Sequence, residues 1–140
     1  MRVTALLCDF AQVAEGKLYV LGAGWNITGP GPAPSAVALV FEVPWDMANT
    51  AIKFKVQLLT TDEAPVIQQG PIGEVPVEAE GQIEVGRPAG IKRGSELNAP
   101  FAFAVPPLVL QPDTRYQWVI TVEGGTPPVT RLPFQTRPAS

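Results

Sequence analysis

Alternation of apolar and polar residues along short segments is the feature that most constrains this chain. Over residues 51–59, apolar side chains alternate with two lysines and a glutamine, and a period of two recurs over 97–105 and 116–122. Such a period places one set of side chains on a buried face and the other in water, as in a half-buried β-strand. Because helical periodicity is nearly absent, the pattern predicts an all-β protein.

Glycine and proline separate these segments. The 140 residues include 13 glycines and 16 prolines, spread along the chain as tight turns between many strands require. Residues 14–17 and 123–126 are predicted to close hairpins, the first with Gly16 at positive φ. Further strands are predicted at 2–10, 17–21, 36–43, 64–69, 74–85 and 129–136, with a long surface loop over 29–34 and at most one helical turn over 46–50. No shift in composition marks a second domain, so residues 1–140 are expected to form one domain.

One seven-residue motif narrows the fold class. Residues 110–116 have the spacing Leu-x-Pro-x-Thr-x-Tyr, which resembles the tyrosine corner of immunoglobulin-like and fibronectin type III sandwiches. The resemblance implies that the Tyr116 hydroxyl bonds to the backbone a few residues upstream, and we expect it to donate to a buried carbonyl there. Trp118 is expected in the core on the same face. The expected fold class is an all-β, immunoglobulin-like (Greek-key) β-sandwich, without the Cys…Trp…Cys pattern of antibody domains.

A wider resemblance covers most of the chain. It rests on five short stretches, at 9–13, 16–19, 22–25, 43–45 and 84–88. They are similar to the signature stretches of an uncharacterised family of small, mainly actinobacterial proteins. The resemblance implies a compact independent domain and brings no activity, cofactor or catalytic residue with it.

Charge and hydropathy limit the partners. Ten Lys and Arg against thirteen Asp and Glu give a net charge of −3, and the basic residues are too scattered to follow a phosphate backbone. No run approaches the roughly 20 apolar residues of a membrane span. The apolar start meets Asp9 too early for a signal peptide. We expect a cytoplasmic or particle-assembled protein that binds neither nucleic acid nor membrane.

The residue types of common catalytic sites are scarce. The chain has no histidine, which removes His-based triads and imidazole metal sites. Cys8, the only cysteine, lies in an apolar segment and is expected to be an inert core thiol. Ser95 with Lys92 remains conceivable as a nucleophile and base, although Gly94-Ser95 is more simply a turn. We therefore expect no catalytic residue, no cofactor and no metal ligand.

Three glutamates leave two interpretations open. Glu74, Glu78 and Glu80 occupy even positions of the predicted strand 74–85, so they are expected on one face. They can form a cation site or a glycosidase-like carboxylate pair. Alternatively, they form a solvated negative face that discourages edge-to-edge aggregation. The second interpretation is favoured, because a glycosidase usually needs a deep cleft and this chain is small.

Loop residues supply candidate partner contacts. Arg87, Lys92 and Arg93 form the one locally basic loop, which can dock an anion or an acidic partner, unless Arg87 pairs with a neighbouring glutamate. Trp25 and Trp45 lie beside loops, where an aromatic ring can stack on a sugar or anchor a protein. Plugs at the open ends of the sandwich are the favoured alternative for both.

The strand predicted at 36–43 supplies the last candidate. Over 35–43 the only charged residue is Glu42. If one set of side chains faces the core, the other, which includes Val40, is small, apolar and suited to a second sheet. We therefore expect a non-catalytic structural or protein-interaction domain that self-associates or joins a larger assembly, for example as a phage coat-decorating protein. The alternatives are a binding module for carbohydrate or a divalent cation, and a strand covered on both faces within the monomer.

Overall fold

The computed structural model describes residues 1–29 and 31–139, so Pro30 of the predicted loop 29–34 lies outside the described residues, as does Ser140. Strands dominate the described part, which also holds one 3-10 turn, Trp45–Met47. The strands are β1 Arg2–Cys8, β2 Phe10–Ala14, β3 Lys17–Leu21, β4 Ile27–Thr28, β5 Ser35–Val43, β6 Ile52–Thr60, β7 Ile67–Gly70, β8 Gly73–Pro76, β9 Glu78–Ile83, β10 Leu97–Val105, β11 Arg115–Val122 and β12 Val129–Thr136. The all-β prediction is confirmed.

Two larger sheets carry the fold. One has three strands in the order β1-β5-β10, and the other has five in the order β4-β12-β11-β6-β9. Their pairings are antiparallel, apart from the short parallel pairing of β4 with β12. The hairpins β2–β3 and β7–β8 form two smaller sheets.

The core lies between the two larger sheets. Phe41 of β5 meets Phe54 of β6 with ring centroids 5.0 Å apart, and Phe103 of β10 packs edge-on against Trp118 of β11 at 5.8 Å. Each large apolar side chain buried in this way contributes about 1.5–3 kcal/mol. The residues with no exposed surface come from both sheets and include Val37, Leu39, Phe41, Val43, Val56 and Ile120.

Hairpin β2–β3 lies over the outer side of the three-stranded sheet. Its turn has Glu15 at φ 53° and Gly16 at φ 71°, which confirms the predicted hairpin. A small cluster joins the two layers and comprises Cys8, Ala11, Ala36 and Ala38, with Leu18, Val20 and Ala102 at its border. The outer side of β5 is thus covered at Ala36 and Ala38 by the same chain, because alanines let a second layer approach closely. Val40, farther along the strand, is partly buried.

The prediction of one unbroken strand over residues 74–85 is wrong. Val77 separates β8 from β9, and it donates its N–H to the Val66 carbonyl at 3.0 Å while its own carbonyl accepts from the Leu58 N–H at 2.9 Å. Pro76 precedes this break and has no N–H to offer a ladder. The segment before the break pairs with β7, and the segment after it pairs with β6. The alternation of apolar and polar residues continues through the break and does not reveal that the chain changes its neighbouring strand there.

Side-chain hydrogen bonds hold residues 111–114, the segment before β11, in place. The Tyr116 hydroxyl accepts a hydrogen bond from the Gln111 N–H at 2.9 Å, so the bond reaches upstream as expected but has the opposite sense from the predicted donation to a carbonyl. The Thr136 hydroxyl donates to the Gln111 carbonyl at 2.6 Å and accepts from the Thr114 N–H at 3.1 Å. The Tyr116 ring also stacks on Phe134, with centroids 5.7 Å apart.

Replacing Tyr116→Phe is expected to lower the free energy of unfolding by about 1–2 kcal/mol, because the Gln111 N–H loses its acceptor. Urea denaturation of both proteins measures the difference. Tyr19→Phe is the matched control, since Tyr19 is half exposed, and its midpoint should not move. An unchanged midpoint for Tyr116→Phe would contradict the assigned role of the hydroxyl.

Candidate interaction surface

The outward side of hairpin β2–β3 is apolar. Phe10 is paired with Leu21 and Gln12 with Tyr19, and these side chains point away from the protein because the intervening Ala11 is buried beneath. Phe10 and Tyr19 are each 51% exposed, and Leu21 is 66% exposed. We call these three residues the hairpin face. The three side chains carry no charge, and the charged residues that border them along the hairpin are the exposed Asp9, directly before Phe10, and Lys17 at the turn.

The outer side of the five-stranded sheet has the opposite character. Lys55 Nζ lies 3.2 Å from a Glu78 carboxylate oxygen and 3.7 Å from a Glu80 oxygen. Arg131 lies 2.7 Å from Glu63. Exposed pairs of this kind contribute little stability, and Lys53 and Arg115 on the same side form no ion pair in the described part of the chain. The two sides of the molecule therefore offer a partner very different surfaces.

The glutamate row of the sequence analysis is not assembled. Glu74 lies on β8 opposite Gln69, whereas Glu78 and Glu80 lie on β9 and share Lys55. The prediction that all three occupy one strand face is wrong, because the chain changes partner at Val77. Among residues 1–29 and 31–139, no group of three or more acidic, His or Cys side chains is placed to hold a metal ion.

Arg87 and Trp45, two residues predicted to contact a partner, contact each other within the chain. The Arg87 guanidinium lies 4.2 Å from the centroid of the Trp45 ring, and its Nη2 donates to the Trp45 carbonyl at 2.8 Å. Arg87 thus pairs with an aromatic ring and a carbonyl rather than with a glutamate, and a cation over a tryptophan face is favourable. The contact fastens the basic loop to the end of β5.

The rest of the basic loop is exposed. Lys92 and Arg93 form no ion pair within the described part of the chain. The Ser95 hydroxyl donates to the Lys92 carbonyl at 2.7 Å, as a turn residue does. The hydroxyl hydrogen is therefore committed to the backbone of Lys92.

Trp25 borders a small cavity. Its ring meets Phe134 edge-on at 6.4 Å between centroids, and both line a cavity of about 80 Å³, together with Trp118 and Asp9. Within the described residues, the buried Trp25 Nε1 has no hydrogen-bond partner. Ligand pockets usually have about 300–1,000 Å³, so this cavity is too small for a metabolite.

The lone thiol is inaccessible. Cys8 has no exposed surface, and its Sγ donates to the Ala36 carbonyl at 3.5 Å. Burial, with a smaller effect of the Asp9 charge, raises the pKa of the Cys8 thiol. The thiol is therefore protonated at neutral pH, and a protonated thiol is a poor nucleophile.

The hairpin face was missed by sequence reasoning. The signal was present, because Leu18, Tyr19, Val20 and Leu21 form a continuous apolar run. A two-stranded hairpin needs only one apolar side to pack on the sheet beneath it. The apolar residues of the other side are therefore left over for a second contact.

These observations define an all-β protein with one apolar outer side and one charged outer side. Residues 3–136 match a family of unknown function (DUF6941), and the chain belongs to that family. No curated protein matches it. In the described part of the chain, no helix has the length and apolar character needed to cross a membrane.

Calcium or magnesium is expected to leave the melting temperature unchanged, because Lys55 lies beside both Glu78 and Glu80 and offsets part of their charge. Ligands that bind the native state raise the melting temperature by mass action, so thermal denaturation with increasing cation tests the point. Glu78→Gln serves as the control. A saturable rise that this variant abolishes would show instead that the glutamates hold a cation.

Proposed function

We propose that this chain is a non-catalytic structural or protein-interaction domain, and that the hairpin face is where its partner binds. The proposal rests on one observation, the adjacent exposed side chains of Phe10, Tyr19 and Leu21. Monomeric proteins rarely expose large contiguous apolar patches, and those that do use them for binding. Aromatic residues are also enriched at interfaces.

The chemistry of the face favours an apolar protein surface as partner. Phe10, Tyr19 and Leu21 offer no charge to a partner, so desolvating a charged group over them would be costly. A basic partner finds one opposite charge at the border of the face, Asp9. A standard interface buries about 800 Å² per partner, which exceeds what three side chains offer. A partner of that size would extend onto the neighbouring outer side of the three-stranded sheet, where Val40 is partly exposed.

We further propose that the fold is an immunoglobulin-like Greek-key sandwich. Taking β1, β5 and β10 as strands A, B and E, and β6, β11 and β12 as C, F and G, the sheet orders agree with those of such domains. The hydrogen bond between Tyr116 and Gln111 supports the same assignment. An accessory subunit on a phage coat, or a cytoplasmic assembly, is a concrete form of this role, by analogy of fold alone.

The non-catalytic assignment is supported by what the candidate nucleophiles do. The thiol of Cys8 is buried and protonated, and the Ser95 hydroxyl donates a hydrogen bond to a backbone carbonyl. Histidine is absent from the sequence.

Site-specific photo-crosslinking in the native host tests the proposed face. A benzophenone amino acid replacing Tyr19 is expected to give a discrete protein adduct, because the ring would lie within the interface. The same replacement of Thr121, which is exposed on the polar side, is the matched control and should give none. No adduct at position 19, or equal adducts at both positions, would contradict the proposal.

A further inference from the structure

The start of β10 leaves backbone hydrogen-bonding groups open at the edge of the three-stranded sheet. The carbonyls of Met1 and Leu7 accept hydrogen bonds from outside this sheet, so the odd-numbered residues of β1 face away from β5 and the even-numbered residues bond to it. The odd-numbered residues of β5 therefore bond to the odd-numbered residues of β10. Asn98, at an even position, consequently directs its N–H and C=O away from β5 and towards the free edge.

Pro100 is the next residue of β10 that faces this edge, and it contributes a carbonyl but no N–H. The edge therefore presents one donor and two acceptors in a row over Asn98 and Pro100. Within the described residues, none of these groups takes part in a backbone hydrogen bond. A row of unpaired backbone groups at a sheet edge is a template for an added strand.

An apolar groove of about 370 Å³ lies beside the same edge. This volume lies within the range of clefts that hold ligands, about 300–1,000 Å³. Its apolar lining comprises Val85, Pro88, Ile91, Leu97, Ala99 and Pro100. Asn98 also lines the groove. Because the side chains of a strand point alternately to its two faces, a strand that pairs with the Asn98 backbone directs every second side chain towards the groove.

Glu84 determines the charge of the groove. Among the described residues, it is the one charged residue of the lining, and it is exposed and forms no ion pair with them. Lys17 and Lys92 are sequence neighbours of the lining residues Gly16 and Ile91, but they do not line the groove. A partner side chain over the groove therefore meets a carboxylate, to which lysine or arginine is complementary.

We propose that this edge and groove bind an extended segment of a partner protein, which carries an apolar residue and a nearby lysine or arginine. The segment adds a strand beside β10, its apolar side chain enters the groove, and its basic side chain pairs with Glu84. In complexes formed by strand addition, main-chain hydrogen bonds give affinity and pockets for alternate side chains give specificity. The site is distinct from the hairpin face, since Phe10, Tyr19 and Leu21 do not line the groove.

Random heptapeptides displayed on phage and selected on the immobilised full chain test the proposal. The enriched sequences are expected to share an apolar residue with a lysine or arginine close to it. Fluorescence anisotropy then measures binding of the enriched peptide, which Glu84→Lys is expected to weaken roughly tenfold, because repulsion replaces attraction. Replacing the basic residue of the peptide with glutamate is expected to restore binding to this variant. Glu74→Lys is the matched control, since Glu74 is also exposed but does not line the groove.

Two variants of Asn98 test the backbone contact. Asn98→Pro removes the N–H at an edge position, where a proline is tolerated, and is expected to weaken binding roughly tenfold. Asn98→Ala keeps the N–H and is expected to bind as the unaltered protein does. Circular dichroism checks the fold of both variants. Should Asn98→Pro not fold, N-methylation of alternate amides of the peptide gives the same test on the unaltered protein, because it removes the donors of the added strand.

Four results would overturn the proposal. They are a selection that enriches no shared sequence, an enriched sequence that is acidic, binding that Glu84→Lys leaves unchanged, and binding that every N-methylated peptide retains. The last result would show that the groove takes a side chain without the addition of a strand.

Leu21→Asp separates this inference from the proposed function. It alters the hairpin face and is expected to leave peptide binding unchanged. Peptide binding that Leu21→Asp abolishes and Glu84→Lys preserves would overturn the assignment to the groove while supporting the hairpin face. Absence of the crosslink at position 19, with peptide binding at the groove intact, would have the reverse meaning.

Discussion

The burial of β5 on both of its sides is the constraint on which the rest of the molecule depends. Side chains such as Leu39 and Phe41 fill the core from one side, whereas Ala36 and Ala38 on the other side are covered by hairpin β2–β3. A hairpin can approach a sheet this closely only where the side chains between them are small. The alternation of large and small residues along one strand therefore determines both where the core lies and where an extra layer can be added.

The extra layer moves the protein's surface outward by one sheet. The three-stranded sheet hides its small residues, and the apolar residues of the hairpin become the outermost ones on that side. The polar side reaches solvent directly, with Lys55 and Arg131 paired to glutamates and with Lys53 and Arg115 exposed. A partner on the polar side would have to desolvate these charged groups, whereas a partner on the hairpin face buries uncharged side chains. This difference is why a partner is assigned to one side only.

Local pattern was sufficient for much of the fold and for little of the site. The alternation over β6, β10 and β11 and the turn at Gly16 were predicted, because each depends on neighbouring residues. The break at Val77 was not, since it depends on a hydrogen bond to Val66 across the fold. The same limit applies to Arg87 and Trp45, which the sequence marked as separate candidates, 42 residues apart, and the fold stacked together.

Cys8 provides an experimental probe of the hairpin layer that covers β5. The buried thiol lies between the sheet and the hairpin, so a water-soluble reagent reaches it only after the hairpin lifts, the edge strand β1 frays or the domain unfolds. Local openings of this kind have their own free energy, which is smaller than or equal to that of global unfolding. Because the chain has no other cysteine, the rate of thiol modification reports the openings that expose this one site between the two layers. One sulfur atom thus makes the opening of this layer measurable in the unaltered sequence.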